Sequence, residues 1–480
     1  MSPDPIAGQP VASERTFTER LLSPFAEVRH GEVGSVLLLA LNLFLVLAAY
    51  YMLKTVRESL ILAEGGAAVK AYSSAGQAVL LLALVPAFGA FASRVNRIQL
   101  VRWVTVFFVA NIAAFYVAGR LGASIGVPYF LWVGIFNVMV IAQFWAFVND
   151  IYSYEQGKRL FPIVGLGSSL GAWLGSVFAG DAVRALGPYP LMLLAGAILM
   201  VCVVIASLVN RRQLHAHSPE GAANATRPLD KVGGFALIRQ QKYLTLIALM
   251  VVFLNIVNTS GEYLFGRFVV EEAARLHGTG PETLAVRQQF VGGVYGTLFS
   301  YVNLTGFLLQ LLVVSRILKY FGTGRALLIH PFVALAGYLV MLVSPSLWTM
   351  AWLKVFDNSI DYSLGNTARQ ALWLPTSREA KYKAKQAVDS FFMRTGDVLQ
   401  AGIVFAGERL AFTVTAFAGI NVVLALAWIA IVLALNPAYR AQVAVCQAPA
   451  GPGPATPVPP PSESRPRAHP ETGQPSVASS

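Results

Sequence analysis

Residues 34–60 read GSVLLLALNLFLVLAAYYMLKTVRESL, and this stretch decides the class of the protein. From Val36 to Leu53 only Asn42 and the hydroxyls of Tyr50 and Tyr51 interrupt an apolar run. A bilayer core of about 30 Å takes about 20 helical residues at 1.5 Å each, so the run is long enough to span it. Similar runs follow along the chain. Twelve candidate spans are expected, at 34–60, 71–92, 100–119, 128–151, 162–181, 189–209, 243–268, 290–318, 325–343, 346–368, 386–408 and 412–435. The runs are continuous rather than alternating segments of about ten residues, which argues against a β-barrel. The composition agrees. Apolar residues make up 56% of the 480, charged residues only 12%, and the mean hydropathy is +0.59. A soluble chain would carry about twice that charge, and a disordered one could not hold so much apolar surface. The expected fold class is an all-α polytopic membrane protein of twelve transmembrane helices in two six-helix bundles.

The charges say how the spans are oriented. Lys and Arg exceed Asp and Glu by 36 to 24, a net +12. In a soluble protein that excess would suggest nucleic acid; here it sorts by loop. Arg94, Arg97 and Arg102, Lys158 and Arg159, Arg211 and Arg212, Arg316 and Lys319, and Arg378 to Lys385 fall on one side. Lys70, Arg120, Arg184 and Arg409 fall on the other. The positive-inside rule then places both termini in the cytoplasm, in a cell (inner) membrane. No nucleic-acid partner is expected. The first 33 residues are not a signal peptide, being polar and mixed in charge. Phe17, Leu21, Phe25 and Val28 share one helical face there, a pattern for an interfacial helix. The organisation read from the sequence is a cytoplasmic N-terminal segment (1–33), a six-helix bundle (34–209), a cytoplasmic linker (210–242), a second bundle (243–436) and a disordered Pro-rich tail (437–480). Short internal matches support two related halves. Thr55, Glu58 and Leu60 parallel Thr259, Glu262 and Leu264, and Val177-Phe178-Ala179-Gly180 repeats as Val404-Phe405-Ala406-Gly407.

Charges within spans cost a few kcal/mol on insertion scales, so each is a candidate for function. Lys54 and Glu58 are spaced i, i+4 at the end of the first span, with Arg57 beside them. They form either a functional cluster or an interfacial one that snorkels to water. Glu262 lies among Leu254, Ile256, Val257, Leu264 and Phe268. Asn149 and Asp150 close the fourth span. Asp357 and Asp361 are i, i+4 in the tenth, with Arg369 beyond. Lys385, Asp389, Arg394 and Asp397 lie in the eleventh, where Lys385–Asp389 and Arg394–Asp397 pairs could equally be structural. Cations hold phosphate or carboxylate, and Tyr50, Tyr51, Trp145, Tyr152, Tyr362 and Trp373 could stack a flat ring. Together they suit a multiply anionic, partly aromatic solute.

Enzyme chemistry finds no footing. There is no G-x-x-x-x-G-K-[ST] phosphate loop. Gly165-Leu166-Gly167-Ser168-Ser169-Leu170-Gly171 lies in an apolar segment and reads as small-residue helix packing. The six histidines have no metal-ligand spacing, and Cys202 and Cys446 give no disulfide framework. No cofactor is expected.

Three segments resemble the nucleotide transporter family, the ATP:ADP antiporters of plastids and intracellular bacteria. They are KTVRESL at 54–60; FWAFVND at 144–150 with EQGKRLFPIVGLGSSLGA at 155–172; and DYSLGNTARQALWLP at 361–375 with KYKAKQAVDSFFMRTGD at 381–397. The resemblance runs over most of 16–437. It implies a major-facilitator-like fold and exchange of ATP- and ADP-type nucleotides, with a small-molecule nucleotide and the lipid bilayer as partners and a monomer as the unit. Carried over by position, Lys54 and Arg57 would be the helix-one cations and Glu58 the adjacent acid. Lys385, Asp389 and Arg394 would be the helix-eleven set, and Glu262 the acid of the second half. Asn149, Asp150 and Arg369 complete the candidate substrate-binding residues. The chain departs from the family at Asp361, where the exchangers carry Lys, and at Asn366 and Ala368-Arg369-Gln370, where they carry an acid and then Thr-Lys-Glu. An alternative is therefore a proton-coupled transporter or flippase for another anionic or zwitterionic solute, with Glu58, Glu262 or Asp361 carrying protons.

Overall fold

The computed structural model describes residues 32–92, 95–152, 154–213, 234–377 and 379–447. The expected interfacial helix around Phe17 and residues 448–480 of the expected tail lie outside them, whereas residues 437–447, expected to begin that disordered tail, are helical. The described residues are helical almost throughout. The helices are α1 Val33–Ala92, α2 Arg97–Arg120, α3 Gly126–Ile151, α4 Tyr154–Leu186, α5 Pro188–Gln213, α6 Gly234–Gln240, α7 Lys242–His277, α8 Leu284–Leu312, α9 Val314–Val343, α10 Leu347–Ile360, α11 Asn366–Ala371, α12 Lys385–Ala387, α13 Met393–Arg409 and α14 Val414–Gln447. Wider π turns at Asp361–Gly365, Ala380–Ala384 and Val388–Phe392 interrupt the stretch from α10 to α13. Of the expected linker 210–242, residues 210–213 continue α5, 234–240 form α6 and Lys242 opens α7.

Eight of the described helices are long and apolar enough to cross a membrane. The first such stretch, Val33–Phe88, has 56 residues. At 1.5 Å per residue that is about 84 Å, enough for two crossings. It doubles back at Gly66, which sits at φ 77°, a backbone region glycine enters freely. Glu58 and Lys70 prove the reversal. A straight helix would set them about 18 Å apart, yet their charged atoms are 2.8 Å apart. The expected loop between spans one and two is thus helix on both sides of one glycine. A second break, at Gly322 (φ 72°), falls where spans eight and nine were expected to part. Spans eight, ten and eleven differ from expectation: α8, although 29 residues long, is not among the eight. α10 has only 14 residues and α13 only 17. Each is cut by π turns and carries several charges, so neither meets the length and apolarity of a simple crossing helix.

α1 is the seam of the molecule. Val36, Leu39 and Leu43 join one apolar core with Phe144, Val148 and Val164. Val46, Leu53 and Leu60 join a second with Phe108, Phe136 and Leu199. Tyr51, Ile61 and Leu62 join a third with α7, α8 and α9. α4 packs along it through glycines: a β-carbon at Gly167, Gly171 or Gly175 would strike the backbone at Ala40, Phe44 or Ala48. The Gly-rich segment therefore works as close helix packing, as its sequence suggested. Trp103, Phe107, Val204 and Leu208 face outward, as suits helices whose solvent is lipid.

One end of the bundle is clasped. Ser59 Oγ donates to Gln288 O at 2.6 Å, Arg184 donates to Gly293 O at 2.8 Å, and Arg287 donates to Ala63 O at 3.3 Å. Gly180 and Gly296 meet there with room for no side chain between them.

Candidate functional site

The charges near the middle of the helices gather around a cavity of about 280 Å³. Both arms of α1 supply Tyr50, Lys54, Arg57, Glu58 and Lys70; α7 supplies Asn258, Glu262 and Tyr263; α13 supplies Arg394, Asp397 and Gln400. Phe130 and Asn137 of α3, Phe299 of α8 and Asn358 of α10 complete the wall. Lys54, Arg57, Lys70 and Arg394 stand against Glu58, Glu262 and Asp397, one cation in excess.

The pairing shows which cation that is. Arg57 donates to Glu58 and lies over the Phe130 ring at 4.7 Å. Lys70 Nζ lies 2.8 Å from Glu58 and 3.3 Å from Glu262. Arg394 reaches Asp397 at 3.2 Å, and Asn255 donates to the same carboxylate at 2.8 Å. Lys54 has no carboxylate partner among the described residues. Its ammonium stands over the rings of Phe299 at 4.1 Å and Tyr51 at 5.2 Å. An aromatic face attracts a cation but does not neutralise it, so Lys54 is the cation left available to an anion.

The acid Glu262 leads out of the cavity. Lys354 Nζ lies 3.3 Å from Glu262 and 3.2 Å from Asp357, and its side chain is wholly buried. Asn258 accepts from the same ammonium at 2.6 Å. Beyond Asp357 come His330 at 2.9 Å, Asp361 at 3.9 Å from His330, and Arg369 at 2.6 Å from Asp361. Buried ions are stable only when paired and hydrogen-bonded in this way.

A second cavity of about 280 Å³ adjoins the first. Tyr51, Ser168, Ser169, Asn303, Gln310, Tyr362, Asn366 and Thr367 supply its polar groups, and no charged residue lines it. Tyr51 donates to Asn303 at 2.9 Å. Tyr362 lines both cavities and is 47% exposed because its ring faces open space.

Of the expected site residues, Lys54, Arg57, Glu58, Glu262 and Arg394 come together at the charged cavity. Arg369 and Asp389 meet at a separate, smaller cavity with Trp373 and Met393. Lys385 lines neither. Asn149 is exposed at the end of α3, away from the cavity, and the side chain of Asp150 lies outside the described residues. Lys70 and Lys354 were missed. Lys70 follows Gly65-Gly66 and reads as a loop charge; the structure corrects this, because the helix resumes after Gly66 and turns Lys70 back onto Glu58. Lys354 carried a legible signal, its i, i+3 spacing to Asp357.

No protein-family model matches the chain. Two curated proteins are similar to it. ADP,ATP carrier protein 1 of Chlamydia pneumoniae is 21% identical over 377 residues, 69% of this chain and 68% of that protein. ADP,ATP carrier protein 1 of Chlamydia muridarum is 22% identical over 344 residues, 63% of this chain and 60% of that protein. Among solved structures, a POT family transporter in complex with 5-aminolevulinic acid superposes with a TM-score of 0.60 at 14% identity, covering 84% of this chain and 96% of that one. Such a likeness speaks to the fold, and that fold is major-facilitator-like. The apolar helices, the fold and the similarity to two carriers support a multi-pass membrane transporter, similar in sequence to the ADP,ATP carrier proteins over 69% and 63% of this chain.

Proposed function

We propose that the protein exchanges nucleotides of the ATP and ADP type by alternating access, its two six-helix bundles rocking about the charged cavity. The observation that carries this reading is Lys54: a cation in the cavity wall that stands over aromatic rings and, among the described residues, has no carboxylate at ion-pair distance. An anionic cargo would complete its pairing. Phosphate groups fit the charged cavity, where lysine and arginine form charge-assisted hydrogen bonds. The uncharged nucleoside end fits the adjoining neutral cavity, where Tyr362 offers a ring to stack on. Amides and hydroxyls from Asn303, Asn366, Gln310 and Thr367 would read its polar edge. Obligatory exchange has a physical rationale: an empty cavity with an unneutralised cation resists occlusion, and bound anion removes that penalty. We place the protein in the cell's inner membrane with both termini in the cytoplasm, acting as a monomer.

The test uses proteoliposomes preloaded with labelled ATP. External ADP should release the label, and Lys54→Ala should abolish release while the protein stays folded. Release that is indifferent to every nucleotide outside would reject the reading. The alternative, proton-coupled movement of another anionic solute, draws support from Asp361, which stands where the family's exchangers carry a cation. A pH gradient driving uptake of such a solute in the absence of nucleotide would favour it.

A further inference from the structure

His330 of α9 is buried, 3% exposed, immediately before Pro331, which lies inside the helix. Two buried carboxylates flank its ring. Nε2 lies 2.9 Å from Asp357 Oδ1, and an ionised carboxylate only accepts, so Nε2 carries the hydrogen. In the neutral ring Nδ1 is then a bare lone pair. It makes no hydrogen bond and faces Asp361 Oδ1 at 3.9 Å. Nδ1 is thus a buried polar atom without a partner, and a proton on it would set a positive ring between two carboxylates, at ion-pair distance from both. The other groups facing the ring are few. Arg369 of α11 reaches Asp361 from the far side at 2.6 Å, Lys354 of α10 stands behind Asp357 at 3.2 Å, and α14 presents the neutral Trp428 ring at 4.9 Å.

The site is wired to the cavity. Lys354 is shared between Asp357 and Glu262, and Glu262 shares Lys70 with Glu58. An anion in the cavity draws Lys54 and Lys70 toward itself. Glu262 then depends more on Lys354, and Asp357 loses part of its counter-charge. A proton on His330 restores it.

We propose that His330, held between Asp357 and Asp361, is a proton-binding site linked to the central cavity, so that anionic cargo and a proton are taken up together. The linkage rests on reading that cavity as an anion site; the proton site itself rests on the geometry around His330.

The experiment is calorimetric titration of the purified full-length protein with ADP at several pH values from about 5 to 8, in buffers of different ionisation enthalpy. The wild type should show a buffer-dependent heat equal to uptake of up to one proton per ADP. In His330→Gln, ADP should still bind with heats that no longer depend on buffer. Buffer-independent heats in the wild type would overturn the proposal and leave the anion cavity standing. Should ADP give no heat at all, the cavity reading for ADP fails, and a ligand-free measurement decides the proton site. The difference between the acid–base titration curves of wild type and His330→Gln, taken from about pH 8 to 5, should show one titrating group lost; superimposable curves overturn the proposal. If His330→Gln does not fold, Asp361→Asn takes its place. It removes the charge that Nδ1–H would face and should reduce proton uptake on ADP binding; unchanged uptake counts against the proposal.

Discussion

Lys70→Met tests the central claim of the fold, that a lysine read as a loop charge is the keystone of a buried ion cluster. Its side chain is 8% exposed and reaches Glu58, at 1%, and Glu262, at 27%. Removing one partner of a buried pair costs roughly 3–5 kcal/mol, because the other charge is left buried without compensation. Glu58 keeps Arg57, and Glu262 keeps Lys354 and Asn358, each at 3.3 Å, so the lower end of that range applies. The expected loss is about 3 kcal/mol, more than a hundredfold in the unfolding equilibrium. A solvated loop lysine would change stability by no more than about 0.5 kcal/mol. Neutralising the orphaned acid as well, in Lys70→Met/Glu58→Gln, should recover about 2 kcal/mol, a coupling within the range seen for groups in direct contact. Equilibrium unfolding in mixed micelles, followed by tryptophan fluorescence, gives all four corners of the cycle. A single variant within 1 kcal/mol of wild type, or four corners that add, would refute the reasoning.

Other consequences are simpler to read. Lys54→Ala should leave stability within about 1 kcal/mol of wild type, since no acid among the described residues is paired with it, while nucleotide-driven release falls to background; a large loss of stability with transport retained would contradict its assignment. Glu64 Oε2 accepts from Gly126 N at 2.8 Å and Ser124 Oγ at 2.7 Å, at the start of α3. Glu64→Gln should cost about 0.5–1 kcal/mol of stability through lost charge at a helix N-terminus, seen as a lower midpoint in the same unfolding assay. Gly296→Val puts a side chain where Gly180 already sits. It should disfavour the clasped end by about 1–3 kcal/mol and speed thiol labelling of a cysteine placed at Ser59; unchanged labelling would mean that this contact does not hold the end shut.

Much of this molecule could be read in advance where chemistry is local. Continuous apolar runs of about 20 residues named the class, and the i, i+4 spacing of Lys54 and Glu58 found one wall of the cavity. The segment from Gly165 to Gly171 announced close helix packing by its small residues, and the structure extends that packing to Gly175. What escaped was set by long-range geometry. Nothing near Lys70 says that Gly66 will reverse the helix and return it to Glu58. His330 sits in an apolar stretch and looked like a scattered histidine, because its partners lie on α10 and the π turn that follows. Lys385 has the right neighbours in sequence, yet it lines neither the charged cavity nor the one formed by Arg369 and Asp389. Spacing tells which residues share a helix face, not which face will meet the cavity.

The glycine elbow has a mechanical meaning. α1 runs up one side of the charged cluster and, after Gly66, down the other, so Glu58 and Lys70 grip each other like the jaws of a clip whose spring is a single residue. Any spreading of the two arms pulls Lys70 out from between Glu58 and Glu262. Shape and charge balance are therefore the same variable in this protein: the helices cannot part without taking one shared lysine from two acids, and an anion that competes for Lys70 loosens the clip from within.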